Sequence, residues 1–352
     1  MSRSRKWLSG AVAAASIIGL TACGSSTKTS TTADTAAHTP APSEYDGPAK
    51  GLPESFPAPE KKDVHLKIGY LQIYGALPTL AVQQKGAEAR AAKLGVDLIV
   101  KDARLNPQDQ VSQFNELLTQ HVDAIVVYPV VPESLGPALA AAKKAGIPVI
   151  STNARPDVSK PLPQGYSVDL EAPIDREAYA MAEYAAQAQP GAKFGIIGNA
   201  APIEALKYMA AREQYWGERF GLQFAGQVDA KQDTAAGYGP AISELIAKSP
   251  DIQQIWVYND LVALTAATVT RSSGRSDIKI LSNSGAGAPV LQAIKAGTVA
   301  MTYQLPWAEQ GSALIDAAYS SVTGQHQPLP ETVSLLGTVI TKDNVDSAVP
   351  TE

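Results

Sequence analysis

From Lys62 onward the chain repeats one unit: a short run of Val, Ile, Leu or aromatic residues, then an Ala-rich segment with helical spacing. Continuous apolar runs separated by amphipathic helices call for a parallel sheet covered on both faces, which narrows the choice of fold more than anything else in the sequence. The spacing predicts strands at 67–71, 96–100, 124–128 and 147–151. Helices are expected between them at 79–94, 109–120 and 133–145. Gly95 and Gly146 stand just past two of the helix ends, where glycine accepts the left-handed cap. The rhythm then restarts, with strands expected at 194–197, 223–228, 255–258, 280–282 and 299–302. The stretch is long enough for two domains. The expected class is therefore α/β, with two doubly wound parallel-sheet lobes in series.

In open sheets of this kind, ligands sit outside the carboxyl ends of the strands, where loops lead into helix N-termini. That rule selects 72–79, 128–133 and 152–154 in the first half, and 199–204, 259–260 and 283–287 in the second. These segments carry Gln72, Tyr74, Thr79, Tyr128, Asn153, Asn259 and Ser284. Amides, hydroxyls and aromatic rings suit an uncharged polar ligand held by hydrogen bonds and ring faces. Asp260, at a strand-to-helix turn, reads as a helix N-cap rather than a ligand contact.

The first residues bear on compartment. Arg3, Arg5 and Lys6 precede an apolar stretch at 8–20 and the run Leu20-Thr21-Ala22-Cys23. That order marks residues 1–22 as a secretory signal, whose apolar part is too short to span a bilayer. Leu-Thr-Ala-Cys is similar to a bacterial lipobox, which implies lipidation of Cys23 and attachment to the outer face of the cell membrane. Cys23 is the only cysteine in the chain, so it has no disulfide partner. The multiple acyl chains of such a residue would give lasting attachment. Ordinary signal cleavage, leaving a free protein, is the alternative. Residues 23–62, rich in Ser, Thr, Ala and Pro, are expected to form a disordered or semi-extended tether.

The formal charge of −5 becomes more negative by the three positive charges lost with the signal, which argues against nucleic acid as a partner. His38, His65, His121 and His326 are scattered, without the spacing of a zinc helix, and no Gly-x-Ser-x-Gly elbow is present. Gly285-Ala286-Gly287 lacks the third glycine of a dinucleotide loop. An enzyme, a cofactor and a metal site are therefore not expected. A transcriptional regulator would need a basic helix-turn-helix headpiece where this chain has its leader and tether.

Three stretches together carry a family resemblance. They are Val122 to Val127 leading into Ala145-Gly146-Ile147-Pro148-Val149-Ile150, then Ser249-Pro250-Asp251-Ile252 leading into Tyr258-Asn259-Asp260 and Ala263, and finally Gly297-Thr298-Val299-Ala300 with Gln304-Leu305-Pro306. In this order the chain resembles the periplasmic sugar-binding proteins of ABC importers, in the ribose-binding branch. The resemblance implies the type I periplasmic-binding-protein fold, with three crossovers and a hinge that closes on the ligand. It implies an N-terminal lobe of 63–168 plus 305–334 and a C-terminal lobe of 169–304 plus 335–347. It also carries ligand contact onto Asn259 and Gln304.

Departures from the pattern matter as much. Where ribose-type proteins have an Asp-Arg pair this chain has Asn153 and Ala154. A sugar-gripping Asp lines up with Ser284, and paired aromatics line up with Thr79 and Leu80. The charge-assisted hydrogen bonds, which are the strong ones, are missing. Arg212 lines up with a family arginine near the cleft, a surface salt bridge being the competing reading. Whether it and Glu204 reach the cleft is left open. Tyr208, Tyr215 and Trp216 read as core. The expected function is delivery of a sugar, polyol or similar small polar solute to an ABC permease, by a monomer, through hinge closure. A sensory protein that shows its ligand to a membrane receptor, or a binder of a less hydroxylated, for example aromatic, solute, is the alternative.

Overall fold

The computed structural model describes residues 44–201 and 203–351. The expected signal and Cys23 lie outside the described residues. In chain order the first part runs β1 (Leu66–Gln72), α1 (Pro78–Leu94), β2 (Val96–Asp102), α2 (Pro107–Thr119), β3 (Ala124–Val127), α3 (Gly136–Ala145), β4 (Val149–Thr152) and β5 (Val168–Glu171). The second part runs α4 (Ile174–Ala188), β6 (Lys193–Asn199), α5 (Glu204–Arg219), β7 (Gln223–Ala230), α6 (Ala235–Lys248), β8 (Gln254–Val257), α7 (Asp260–Ser272), β9 (Lys279–Ser282), α8 (Ala288–Lys295) and β10 (Met301–Gln304). The chain ends with α9 (Trp307–Thr323), β11 (Thr332–Ser334) and β12 (Thr338–Thr341).

These strands make two six-stranded sheets, ordered β11-β5-β4-β3-β1-β2 and β12-β10-β9-β8-β6-β7. The first is parallel throughout. The second is parallel except for β12, which runs antiparallel to β10. Each sheet buries both faces, as the continuous apolar runs require. In the first, Ile68, Tyr70, Val126 and Ile150 pack against Ala87 and Ala91 of α1 and Leu314, Ile315 and Tyr319 of α9. The alternate positions Leu71, Ile125, Val127 and Val149 pack against Phe114, Leu117 and Leu139 on the other side. Helices α1 and α9 approach closely at Gly86 and Gly311, where an added Cβ would overlap the facing backbone of Ala308 and Gln83.

Local signals set the helix ends. Gly95 closes α1 at φ 74°, its N–H reaching Ala91 and Ala92. Asn106 caps α2 by accepting from Gln108 and Asp109. The alternating pattern thus gives the two doubly wound α/β lobes read from sequence. Three strands escaped that reading: β5, β11 and β12 are three or four residues long and sit at or next to a sheet edge. They flank the crossovers. The chain passes between lobes after β5, after β10 and after β11. Residues 169–171, expected with the C-terminal lobe, pair with β4 and β11 in the first sheet, so the first crossover falls later than expected.

Part of the expected tether is ordered against the body. Tyr45 donates to Asp175 at 2.6 Å, and Asp46 accepts both Arg219 Nη atoms at 3.0 Å. Further on, Pro53 accepts from the Ser334 N–H at 2.8 Å, Phe56 is buried in the first-lobe core, and the Lys62 N–H donates to Tyr319 at 2.8 Å. Residues 44–62 therefore bind the second lobe first and the first lobe next. The composition held too few large apolar residues for a core, but Tyr45 and Phe56 suffice to dock on cores already formed by the lobes.

Candidate ligand-binding cleft

Each sheet has one point where strand order reverses and the following helices diverge to opposite faces, opening a crevice at the carboxyl ends. In the first sheet this lies between β1 and β3, and in the second between β6 and β8. The loops after these strands carry Tyr74, Tyr128, Asn199 and Asn259. A direct contact joins the lobes nearby: the Tyr208 hydroxyl of α5 donates to Asp157, in the loop after β4, at 3.4 Å.

On the first lobe, Gln72 is buried and turned inward. Its Oε1 accepts from the Ile73 N–H at 3.1 Å and its Nε2 donates to the Leu80 carbonyl at 3.2 Å, so it shapes the 72–80 loop instead of reaching the crevice. Tyr74 and Thr79 remain partly exposed on that loop. Gln110 clamps the next loop, donating to the Tyr128 carbonyl and accepting from the Val130 N–H, both at 2.8 Å. Tyr128 keeps a partly exposed face, yet its hydroxyl end is buried. Burial pushes that hydroxyl's pKa up, and the nearby Asn153 side chain partly offsets the rise. Asn153 sits at φ 57°, a conformation asparagine tolerates better than most residues, and accepts from the Ala172 N–H at the first crossover. The structure thus brings Tyr128 and Asn153 together.

The charged groups closest to this turn are spent inside the lobe. Buried Asp169 accepts from the Ser151 hydroxyl at 2.7 Å and the Ala154 N–H at 3.1 Å. Arg155, one position beyond the expected Asp-Arg site, is buried and bonds Thr332 at 2.5 Å.

On the second lobe, Asn259 caps α7 through Oδ1, which accepts from the Val262 N–H at 3.0 Å. Its amide nitrogen takes no part in the cap. The expectation that Asp260 would be the cap is therefore corrected. The cap position needs extended backbone, and Asn259 has it at φ −162° and ψ 171°, while Asp260 already lies within the helix. The Asp260 carboxylate instead accepts from the Ala286 and Gly287 N–H groups at 3.0 and 2.9 Å. Ser284, at φ 53°, donates to Glu177 at 3.0 Å, and Asn283 donates to Glu213 at 2.7 Å. Gln304 is partly exposed and donates to the Val349 carbonyl at 2.6 Å, so the C-terminal segment lies against the rim.

Arg212 pairs with buried Asp175, which also accepts from Trp216 Nε1 at 3.1 Å, and stacks 4.0 Å from the Tyr215 ring centre. Its charge is taken up within the lobe. Glu204 is exposed in the first turn of α5. Trp216 is core, as read from sequence, whereas Tyr208 touches the other lobe.

Sequence reasoning missed Glu177 and Glu213. Acidic residues on helices read as a solvated face, and only the packing of α4 on α5 buries them. It selected 199–204 and named Tyr258 in a family stretch, but gave neither Asn199 nor Tyr258 a role at the site. Asn199 donates to the Tyr258 hydroxyl at 2.9 Å, which donates in turn to Asp233 at 2.8 Å. Burial, the largest effect, lifts Tyr258 to about 12. Among the described residues no group of His, Cys, Asp or Glu could hold a metal ion, and no helix is long and apolar enough to cross a membrane. Two surface hollows, beside Asn115 on α2 and beside Pro148 before β4, are open and lie away from the strand ends that define the crevices.

Two hinged α/β lobes with polar crevices at their strand ends define a binding protein. Residues 78–326 match the model of the periplasmic binding protein domain, and the chain belongs to that family. It is similar to the ribose import binding protein RbsB of Bacillus subtilis, 27% identical over 214 residues, covering 59% of this chain and 66% of the relative. The chain thus spans just under two thirds of that relative's length. It is also similar to a xylitol-binding protein of Mycolicibacterium smegmatis, 26% identical over 285 residues, covering 79% of this chain and 78% of the relative. Its fold matches the crystal structure of a periplasmic ribose ABC transporter protein from Conexibacter woesei, with a TM-score of 0.72, 19% identity, and coverage of 84% of this chain and 96% of that one. A glycerol-bound ABC transporter solute-binding protein from Mycobacterium smegmatis superposes with a TM-score of 0.68 at 23% identity, covering 81% and 96%.

Proposed function

We propose that this protein is an extracytoplasmic solute-binding component of an ABC importer, which captures an uncharged sugar or polyol between its lobes. The observation that carries the reading is the placing of neutral hydrogen-bonding groups at both reversal points: Tyr128 with Asn153 beside it on one lobe, and Asn259, with its amide nitrogen outside the cap, on the other. A solute touching both sets favours the closed state, since binding shifts a two-state equilibrium only by its differential affinity. Closure about the three crossovers is what the permease would read.

Two arginines near the rims are taken up inside their lobes, Arg155 by Glu331 and Thr332 and Arg212 by Asp175, which favours a neutral ligand. The likeness to a xylitol-binding protein over most of both chains supports a polyol as much as a pentose. The ligand set proposed is Tyr74, Thr79, Tyr128, Asn153, Asn259, Ser284 and Gln304, with Gln72 as a loop former. Cys23 is proposed as the lipidated anchor and the protein as a monomer. Replacing Cys23 with Ala should move it from the membrane fraction to the medium.

The test is a thermal-shift screen across pentoses, hexoses, polyols and aromatic acids, followed by small-angle scattering. A ligand at 100-fold its dissociation constant raises stability by about 2.7 kcal/mol. A stabilising sugar or polyol that also compacts the protein is expected. Stabilisation by aromatic acids alone, or by nothing in the panel, would sink the reading.

A further inference from the structure

The rim loop that carries Ser284 is bent into backbone regions most residues avoid, with Ser284 at φ 53° and Ala286 at φ 149°. Carboxyl groups from three helices hold it there. Glu177 of α4 accepts the Ser284 hydroxyl at 3.0 Å, and Glu213 of α5 accepts the Asn283 amide at 2.7 Å. Asp260 of α7 accepts the Ala286 and Gly287 N–H groups at 3.0 and 2.9 Å. Glu177, Glu213 and Asn283 are buried to within 1% of complete.

The charges packed around this cluster give it no cation. On α4, Arg176 is taken up by Glu54 and by the Tyr45 ring, and on α5 Arg212 is taken up by Asp175. Tyr303 of β10 faces Glu177, and its hydroxyl accepts from the Gly337 N–H at 2.9 Å. Two buried atoms of the cluster are left without a hydrogen-bond partner: Oε1 of Glu177 and Oδ1 of Asn283. An amide oxygen can only accept, but a carboxyl that keeps its proton can donate. One proton on Glu177 turns its Oε1 into a donor while Oε2 still accepts from Ser284, and so supplies the kind of group the Asn283 oxygen lacks. Burial is the largest effect on both acids. It lifts Glu177 to about 7 and, with the Glu177 charge adding to it, Glu213 to about 8.

We infer that Glu177 and Glu213 are positioning residues that hold the Asn283–Ser284 segment in its cleft-facing shape while the pair keeps a proton, so that alkaline pH loosens the second-lobe half of the site. The inference rests on the binding role proposed for Ser284, but the response of the loop itself does not. When both acids ionise, two buried like charges face each other without a counter-ion, and water must enter the cluster to relieve them. The Ser284 and Asn283 tethers then compete with water, and the bent backbone relaxes.

The test reads the loop without any ligand. Backbone amide resonances of Asn283 and Ser284 are followed from about pH 6 to about pH 9, the range bracketing the two acids. They should titrate together in the wild type, with midpoints near 7 to 8 as burial implies. In the Glu177→Gln, Glu213→Gln double variant they should stay fixed in the low-pH positions, because Gln keeps an acceptor and a donor without ionising. Flat wild-type resonances, or the same titration in the double variant, would overturn the inference. If the double variant does not fold, the wild-type titration alone decides it, read beside the amide of Val130 in the first-lobe loop, which should stay still. In parallel, affinities for xylitol and D-ribose are measured at both ends of the range. A loop that titrates while neither solute binds removes xylitol and D-ribose as ligands and keeps the positioning role. Binding with a silent loop does the reverse.

Discussion

The hydroxyl of Tyr45 donates to the carboxylate of Asp175 at 2.6 Å, which fastens the segment ahead of β1 to the first turn of the second lobe. The Tyr45 ring stands edge-on to Tyr179 with centroids 5.4 Å apart and lies 5.7 Å from Trp216. Since Pro53 and Phe56 attach to the first lobe, the segment bridges the lobes beside the three crossovers. Any swing of one lobe on the other must therefore bend or release residues 50–53 or break the Glu54–Arg176 pair.

Substitutions in this bridge should separate by burial. Tyr45→Phe removes the bond to the Asp175 carboxylate and the one accepted from the Ala49 N–H, and should cost about 1.5–3 kcal/mol in urea unfolding. Tyr45→Ala also strips a ring from an aromatic cluster and should cost about 2–4 kcal/mol. Asp46→Ala breaks a more exposed pair with Arg219 and should cost less than about 1 kcal/mol. Equal stability of wild type and Tyr45→Ala would show that the segment is not held.

Asn153 makes two demands that different substitutions can satisfy separately. Its φ of 57° favours Gly over Ala by about 1 kcal/mol, while its bond from the Ala172 N–H is lost in both. Unfolding free energies should therefore rank wild type, then Asn153→Gly, then Asn153→Ala. Both variants should bind solute more weakly, because the amide proposed to meet the solute beside Tyr128 is removed. If Gly and Ala cost the same, the backbone conformation is not what selects asparagine here.

Glu171, buried at the end of β5, predicts a direction for pH dependence. Burial, the largest cause, with Asp169 and Asp175 adding to it, lifts its carboxyl to about 8. A carboxyl raised in the folded state binds its proton more tightly there than in the unfolded chain. Its contribution is therefore greatest below the unfolded pKa of about 4.3 and is lost as pH rises toward the folded value. Wild-type stability should fall across that window, and Glu171→Gln should reduce the slope by up to about 1.4 kcal/mol per pH unit. Parallel stability curves for the two proteins would rule this out.

The alternation of apolar runs and helices was enough to read both sheets, because parallel strands covered on two faces leave a continuous signature in one dimension. The crossovers were harder. The β5 sequence Val-Asp-Leu-Glu alternates, and β11 is three residues long, so neither carries the apolar run that marked the other strands. At the site, loop positions such as Tyr128, Asn153 and Asn259 followed from the rule about strand ends. Glu177 and Glu213 did not, since whether a helical glutamate meets solvent or another helix depends on contacts between residues 36 positions apart. The direction of Gln72 was equally hidden, because the pattern placed it at the strand end without showing which way its amide would turn.

Asn259 offers the sharpest division between fold and function. Its Oδ1 caps α7, and its amide nitrogen is the donor proposed to meet the solute. Asn259→Ala removes both, so it should lose about 0.5–2 kcal/mol of stability together with affinity. Asn259→Asp keeps an oxygen acceptor at the cap and adds a negative charge at the positive end of the helix dipole, so stability should match or exceed the wild type. The same change replaces the donor with an acceptor-only group facing solute hydroxyls. A neutral hydroxyl can still donate to a carboxylate, so some binding remains, but a solute oxygen that accepted from the amide is left unpaired. The expected result is a fold as stable as wild type with affinity reduced roughly 10-fold or more, the size of one lost hydrogen bond in a desolvated site. Calorimetric titration with the strongest binder from the thermal-shift panel measures it. Unchanged affinity in Asn259→Asp would confine Asn259 to capping and leave the second lobe's contact with the solute to Ser284 and Gln304.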